Sequence, residues 1–445
     1  MKRSVKAPTP TPPLTPHFLL ACFPLVWSGL GPASGVAQDV SVEERYEVEV
    51  GRLAERPVIQ EAFRIIEALE PRTMDDHVAL TQVPAPPFGE EERAGAFAEL
   101  LREAGADSVR MDSVGNVLAY RGGSRGTRTV VLGGHLDTVF PEGTDVTVRR
   151  RGDTLFAPGI GDDTRGLIVV LTVLRALERA EIETEANLIF LGSVGEEGLG
   201  DLRGVKHLFR HGGPAVDAFI EVDGGGMATI VNKGLGSLRY RVTFRGPGGH
   251  SWGAFGLVNP AHALGRAVDR FARAADGFTA SGPRTSFNVG RIGGGTSINS
   301  IPFEAWMEVD MRSENPESLQ EIAGIFEASV AEAVEAENEF RREGPALEAD
   351  VDRIGTRPSG EIDSSEPLVQ RAMAVTRFFG EEPRLARSST NSNIPIALGI
   401  PAVTIGRGGR GGQNHSLDEW WMNEDGHLAI QRTLLLIVAQ AGLGG

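Results

Sequence analysis

Apolar positions recur at helical spacing from about Val42 to Leu69, in a stretch rich in Glu and Arg, and predict a helix there. Three prolines, Pro84, Pro86 and Pro87, forbid its continuation through the segment 81–90. From Glu91 to Ala104 the pattern is helical again, with Ala94, Phe97, Leu100 and Leu101 on one face. Asp112 to Asn116 reads as a turn between two short strands. Beyond it the texture changes. Thr129–Leu132, Asn187–Val194, Ala215–Val222 and Ala402–Ile405 are short apolar runs that fit buried strands, and Leu167–Leu177 is apolar on most sides, as in a buried helix. Strands that alternate with helices predict an α/β domain with a mainly parallel sheet.

A different pattern occupies about 235–354. Leu238–Phe244, Ser286–Ile292 and Ala305–Met311 alternate like half-exposed strands. Pro260–Ala275 and Ser318–Glu337 are helical, the second with Ile322, Ile325, Phe326, Val330 and Val334 on one face. This is the pattern of a small antiparallel α+β domain. It interrupts the first, since glycine-rich strand ends resume after Arg357. The expected organisation is a larger α/β domain in two parts, 41–234 and 355–445, with the small domain at 235–354 between them.

Composition narrows the possibilities. The 445 residues carry a formal net charge of -16, which argues against nucleic acid as a partner, because phosphate binding needs a basic face. Cys22 is the only cysteine, so an intrachain disulfide and a cysteine zinc site are both excluded. Residues 1–37 read as a targeting segment: Lys2, Arg3 and Lys6 start it, an apolar run spans Phe18–Leu30, and Gly35-Val36-Ala37 offers a cleavage point. The expected location is therefore periplasmic or secreted. Leu19 to Cys22 resembles a lipoprotein box, although little apolar sequence precedes it. No later stretch approaches the roughly 20 apolar residues of a membrane helix.

Chemistry-bearing residues gather at the ends of the predicted strands. His135 and Asp137 follow the first, Glu196 and Glu197 the second, and Asp223 the third, while Asp162 and His415 sit in glycine-rich loops. In open α/β sheets, ligands bind beyond the carboxyl ends of the strands. Taken singly, such residues are commonly solvated pairs, turns or helix caps. Together, His135, Asp162, Glu197, Asp223 and His415 make an N/O donor set that suits zinc, and cobalt or manganese as well. Three carboxylates repel one another in one cleft unless cations compensate. Two divalent ions would do so, and Glu196 would remain as a free carboxylate within reach of water.

The motifs Gly134-His135-Leu136-Asp137-Thr138, Asp162-Asp163-Thr164-Arg165-Gly166, Gly195-Glu196-Glu197-Gly198, Val222-Asp223-Gly224-Gly225 and Asn414-His415-Ser416-Leu417-Asp418-Glu419-Trp420 resemble the M20 family of zinc exopeptidases and amidohydrolases, most closely its peptidase T-like branch. The resemblance runs from about Pro57 onward. It implies that His135 and Asp223 are terminal ligands of one metal, Glu197 and His415 of the other, and Asp162 the bridge. It implies that Asp137 orients His135 and that Glu196 is the general base, then the acid. In the small domain, which the family makes a ferredoxin-like lid, Gly246 to Ser251 resembles the motif whose histidine, here His250, stabilises the oxyanion across a homodimer. Asn299 resembles a substrate contact, and Arg312 the group that grips a substrate carboxylate. The expected substrates are small peptides, with N-acyl amino acids as the alternative. A binding protein that has lost catalysis is the reading from another class. Two departures bear on substrate preference: Thr164-Arg165 stands where many relatives have Lys, and Asn391 where they often have Asp.

Overall fold

The computed structural model describes residues 41–444. The expected targeting segment and Cys22 lie outside the described residues, and none of the described helices is long and apolar enough to cross a membrane.

The main sheet is mixed. Its central strands, Asn187–Ser193, Thr129–His135, Ala218–Val222 and Ala402–Ile405, lie side by side and parallel in that order. All four are almost wholly buried, because helices cover both faces and there is no polar side to alternate. Ser108–Met111 and Val117–Arg121 extend one edge antiparallel, and Thr229–Gly234 pairs antiparallel with Ala402–Ile405 at the other. The parallel register places His135 beside Ser193 and Val222 beside Ile405. The segments leaving these strands therefore emerge at one edge of the sheet.

Helix Thr164–Arg179 packs on the sheet beneath helices Pro57–Ala68, Glu70–Thr81 and Gly426–Ala441. Every residue from Thr164 to Leu177 is buried. Its first turn approaches the sheet very closely: a Cβ on Gly166 would lie 2.2 Å from both the Val222 carbonyl and Asp163 Oδ1. The single helix expected over 42–69 is two, Glu44–Ala54 and Pro57–Ala68, followed by an unexpected third, Glu70–Thr81. Pro57 and Pro71 sit in the opening turns of the second and third helices, where the missing N–H costs nothing.

The second sheet has the order Thr285–Gly294, Glu304–Ser313, Gly236–Arg245, Glu348–Arg357, antiparallel throughout. Helices Pro260–Thr279 and Pro316–Glu339 join its strands, giving the strand–helix–strand–strand–helix–strand sequence of a ferredoxin-like fold. Leu238, Tyr240, Val242 and Phe244 alternate inward with Ala305, Met307, Val309 and Met311 and meet Phe271, Ile322 and Phe326 from the helices. Asn259 and Asn315 cap the two helices, each side-chain oxygen accepting a backbone N–H at 2.9 and 2.7 Å. Strand Glu348–Arg357 was not expected. It is an edge strand, mostly exposed, and Glu348, Asp350, Asp352 and Arg353 hide its pattern. Also unexpected is a small sheet of three-residue strands, Arg410–Gly412, Trp420–Met422, Thr154–Phe156 and Arg149–Arg151, which braces the loop carrying His415.

Candidate metal centre

Donor atoms of His135, Asp162 and Asp223 lie within 4.8 Å of one another, and so do those of Asp162, Glu197 and His415. Asp162 is common to both sets. Its Oδ1 is 3.2 Å from His135 Nε2, and its Oδ2 is 3.4 Å from His415 Nε2. His415 Nε2 is also 2.9 Å from Glu197 Oε1. The expected ligands thus converge as two sites sharing one carboxylate. His415 and Gln413 both have φ near +60°, a conformation that non-glycine residues hold only where the surroundings enforce it. A third grouping, His135 with Glu196 and Glu197, is equally compact. Glu196, however, is already engaged by Arg357, whose Nη1 donates to Glu196 Oε1 at 3.1 Å and whose Nη2 donates to the Glu196 carbonyl.

Asp137 differs from expectation in one respect. His135 Nδ1 lies 3.0 Å from the Asp137 backbone carbonyl and 3.7 Å from Oδ1. The main chain therefore fixes the ring, with Nδ1–H as donor and Nε2 facing Asp162, and the carboxylate acts on it through charge. The carboxylate's hydrogen bonds go elsewhere: Oδ1 accepts the Glu196 N–H at 2.9 Å and Oδ2 the Glu197 N–H at 2.8 Å. Asp137 thus ties the histidine to the turn that presents both glutamates.

Asp163 precedes helix Thr164–Arg179 without capping it. Its Oδ2 accepts the His135 N–H at 3.1 Å instead. Burial pushes its carboxyl well above the usual range. Burial also raises Glu196 to about 8, against the opposing pull of Arg357, and raises Asp223 to about 6. Burial opposes charge on Asp162 as well, but His135, His415 and Arg407 outweigh it and hold the carboxyl well below its ordinary value.

Arg407, two residues beyond strand Ala402–Ile405, is the buried cation of this cluster. Its Nη1 is 3.7, 3.7 and 3.6 Å from Asp162, Asp163 and Asp223 and has no hydrogen-bond partner. One guanidinium among three aspartates leaves negative charge uncompensated, which is what a divalent-ion site of N/O donors requires. Glu419 fixes the loop before Asp162 by accepting the N–H groups of Gly159, Gly161 and Asp162 at 2.8 to 3.0 Å. Sequence reasoning gave Arg407, Arg357 and Glu419 no role. Arg407 shares the strand-end position of the ligands, and that signal could have found it.

A cavity of about 410 Å³ opens beside the donors and is lined by Glu196, Arg239, Arg312, Arg357 and Ser389, among others. Arg312 thus reaches the site. Its Nε donates to Asp310 Oδ2 at 2.8 Å, and Asp310 also pairs with Arg239 at 2.9 Å. His250 and Asn299 do not line this cavity. They sit together on the small domain, where His250–Ser300 pairing joins two short strands. His250 is exposed, its Nδ1 accepting the Trp252 and Gly253 N–H groups at 3.2 Å. Asn299 accepts from the Ser297 hydroxyl at 2.6 Å. The departure at Asn391 has a local reason. Its Nδ2 donates to Glu221 Oε1 at 2.7 Å and to Ser193 Oγ at 2.9 Å, whereas an aspartate there would face a second buried carboxylate. Arg165 is buried too, donating to the Gly426 carbonyl at 2.9 Å and stacking on Trp421.

Known proteins share this architecture and sequence. The sequence profile of peptidase family M20/M25/M40 matches residues 131–439. Acetylornithine deacetylase of Myxococcus xanthus is 29% identical over 334 residues, which cover 71% of this chain and 81% of the relative. Succinyl-diaminopimelate desuccinylase of Corynebacterium glutamicum is 26% identical over 352 residues, covering 75% and 89%. The crystal structure of aminopeptidase PepT from Bacillus cereus superposes with a TM-score of 0.65 at 20% identity, over 84% of this chain and 99% of that one, a likeness of fold.

Proposed function

The chain belongs to peptidase family M20/M25/M40, a hydrolase family, and from that premise we propose that it uses two divalent ions, zinc foremost, to hydrolyse an amide bond next to a free carboxylate in a small peptide. The observation that carries this reading is the pair of donor triads sharing Asp162, with the Glu196 carboxylate beside them in the same cavity. His135, Asp162 and Asp223 would hold one ion, and Asp162, Glu197 and His415 the other. Ions bound there would polarise the amide carbonyl and acidify the attacking water. Glu196 takes the proton from that water and returns it to the leaving amine nitrogen. Asp137 keeps Glu196 and Glu197 aimed by holding their backbone N–H groups. Arg312 receives the substrate carboxylate.

Glu196→Gln should bind metal and unfold like the wild type while kcat falls by about 10²–10⁴-fold. Near-normal turnover in a metal-loaded variant would remove Glu196 from the chemistry. Elemental analysis should find close to two ions per chain, and a metal-free native protein would favour the binding-protein reading.

A second reading, N-acyl amino acid deacylation, draws support from the deacetylase and desuccinylase names of the relatives in sequence. A panel of dipeptides, tripeptides and N-acyl amino acids, with the products identified, separates the two. The exposed His250 is proposed to complete a partner subunit's cavity in a homodimer, where it would stabilise the oxyanion. Exposed Trp252, Phe255, Ile298 and Phe303 on the same domain support that pairing. Sedimentation showing only monomers at working concentration would refute it. Export, proposed on residues 1–37, is checked by cell fractionation.

A further inference from the structure

Arg357 has no part in the scheme above, yet it touches the proposed base. It ends strand Glu348–Arg357 of the small domain and is 4% exposed. Its Nη1 donates to Glu196 Oε1 at 3.1 Å and to Ser389 Oγ at 3.0 Å, and its Nη2 donates to the Glu196 carbonyl. Its Nε is buried without a partner, and the side chain lines the same cavity as Glu196. A guanidinium paired with a carboxylate favours its ionised form and so makes it a weaker base toward a water molecule. A planar guanidinium with an unused N–H on its edge is, in turn, suited to a second carboxylate.

The neighbouring cations are more fully occupied. Arg239 and Arg312 divide one carboxylate, that of Asp310, between them. Arg239 also donates to the carbonyl of Gly198, one residue past Glu197. The wall facing the base is therefore cationic, and Arg357 is the member of it that contacts the base directly.

We propose that Arg357 is a specificity-determining residue that exchanges Glu196 for the free carboxylate of the substrate, which it shares with Arg312, so that the base is released when a carboxylate-bearing amide fills the cavity. This rests on the reading of Glu196 as the base. It deepens that reading by making the substrate carboxylate a condition of turnover as well as a handle for binding. An amide with a neutral terminus would leave Glu196 paired and would lose kcat, besides binding more weakly.

The test uses whichever of Ala-Ala, Ala-Ala-Ala and N-acetyl-methionine the metal-loaded enzyme cleaves best, together with its carboxamide counterpart. The wild type should favour the carboxylate by at least about tenfold in kcat. In Arg357→Gln, kcat for the carboxylate should fall and kcat for the carboxamide should rise, so that the kcat preference shrinks below about twofold. Arg357→Lys keeps the buried charge and guards against misfolding. It should give an intermediate preference, because an ammonium cannot pair in two-pronged fashion. Equal loss for both substrates in both variants would mean that Arg357 only supports the fold. A change confined to KM would make it a simple anchor. Loss of the preference in Arg312→Gln but not in either Arg357 variant would assign the carboxylate to Arg312 alone. Each of these results overturns the exchange. They leave the reading of Glu196 standing, because the Glu196→Gln comparison decides that reading separately.

Discussion

Asp137 and His77 show how much a single side chain does here by where it is buried. The Asp137 carboxylate holds two backbone N–H groups and lies against the His135 ring, all out of water. Asp137→Asn puts an amide NH₂ where an acceptor is needed. Metal affinity or kcat should drop by about 10–100-fold with the fold retained, as for other partners that orient ligands; metal titration and steady-state kinetics read it, and an unchanged enzyme would contradict the assignment. His77 is a buried packing residue. Its Nε2–H donates to the Ile160 carbonyl at 2.6 Å, and its ring meets Trp421 edge-on at 4.9 Å. Burial, with Arg165 nearby, pushes its pKa down to about 3. The unfolded chain, with an ordinary histidine near 6.5, therefore binds the proton first as pH falls. Stability from this group is complete above about 6.5 and declines as pH drops toward 3, by ~2 kcal/mol at pH 5. Urea unfolding at pH 7 and pH 5 should show that loss in the wild type and less of it in His77→Gln.

Among the elements, helix Thr164–Arg179 sets the position of the candidate metal centre. It starts directly behind Asp162 and Asp163, and its contact with strand Ala218–Val222 brings it to the chain that carries Asp223. That approach depends on Gly166, where a Cβ would overlap the Val222 carbonyl. Gly166→Ala should cost ~1–3 kcal/mol, as overpacked cores do. It should also weaken metal binding, because the helix start and the ligand-bearing strand end are forced apart. Unfolding and metal titration on one sample check both effects, and a stable, tightly binding variant would show that the gap can close by other movements. The hydrophobic pattern announced this helix and the four parallel strands, since each is long or continuously apolar. It did not announce strand Glu348–Arg357 or the three-residue strands around His415, because edge strands and very short strands bury too little to leave a pattern.

At the scale of the molecule, the candidate metal centre is a charge-balance problem that the chain alone leaves unsolved. Asp162, Asp163 and Asp223 share one buried cation, Arg407, while Glu197 pairs with His415 and Asp162 with both His135 and His415. Ions that bind the folded state and not the unfolded one add RT ln(1 + [L]/Kd), about 2.7 kcal/mol per site at a hundredfold excess over Kd. The melting temperature of chelator-treated protein should therefore climb with the logarithm of added zinc, and Asp162→Asn should flatten that climb. A melting temperature indifferent to metal in the wild type would argue against a structural bond between ions and fold.

The sequence by itself determined the strand ends, the buried helix, the antiparallel insertion and the five candidate donor residues, because hydrophobic periodicity and motif spacing are local properties of the chain. Tertiary structure decided what depends on distance between remote segments. It brought His135, Asp162, Glu197, Asp223 and His415 into two overlapping triads, and it put the Asp137 carbonyl rather than its carboxylate on the histidine. It also turned Arg407 and Arg357 inward, each from a strand end, to meet carboxylates far away in the chain. A buried arginine reads like any surface arginine until the fold supplies its partners, and only the fold could show that these two have them.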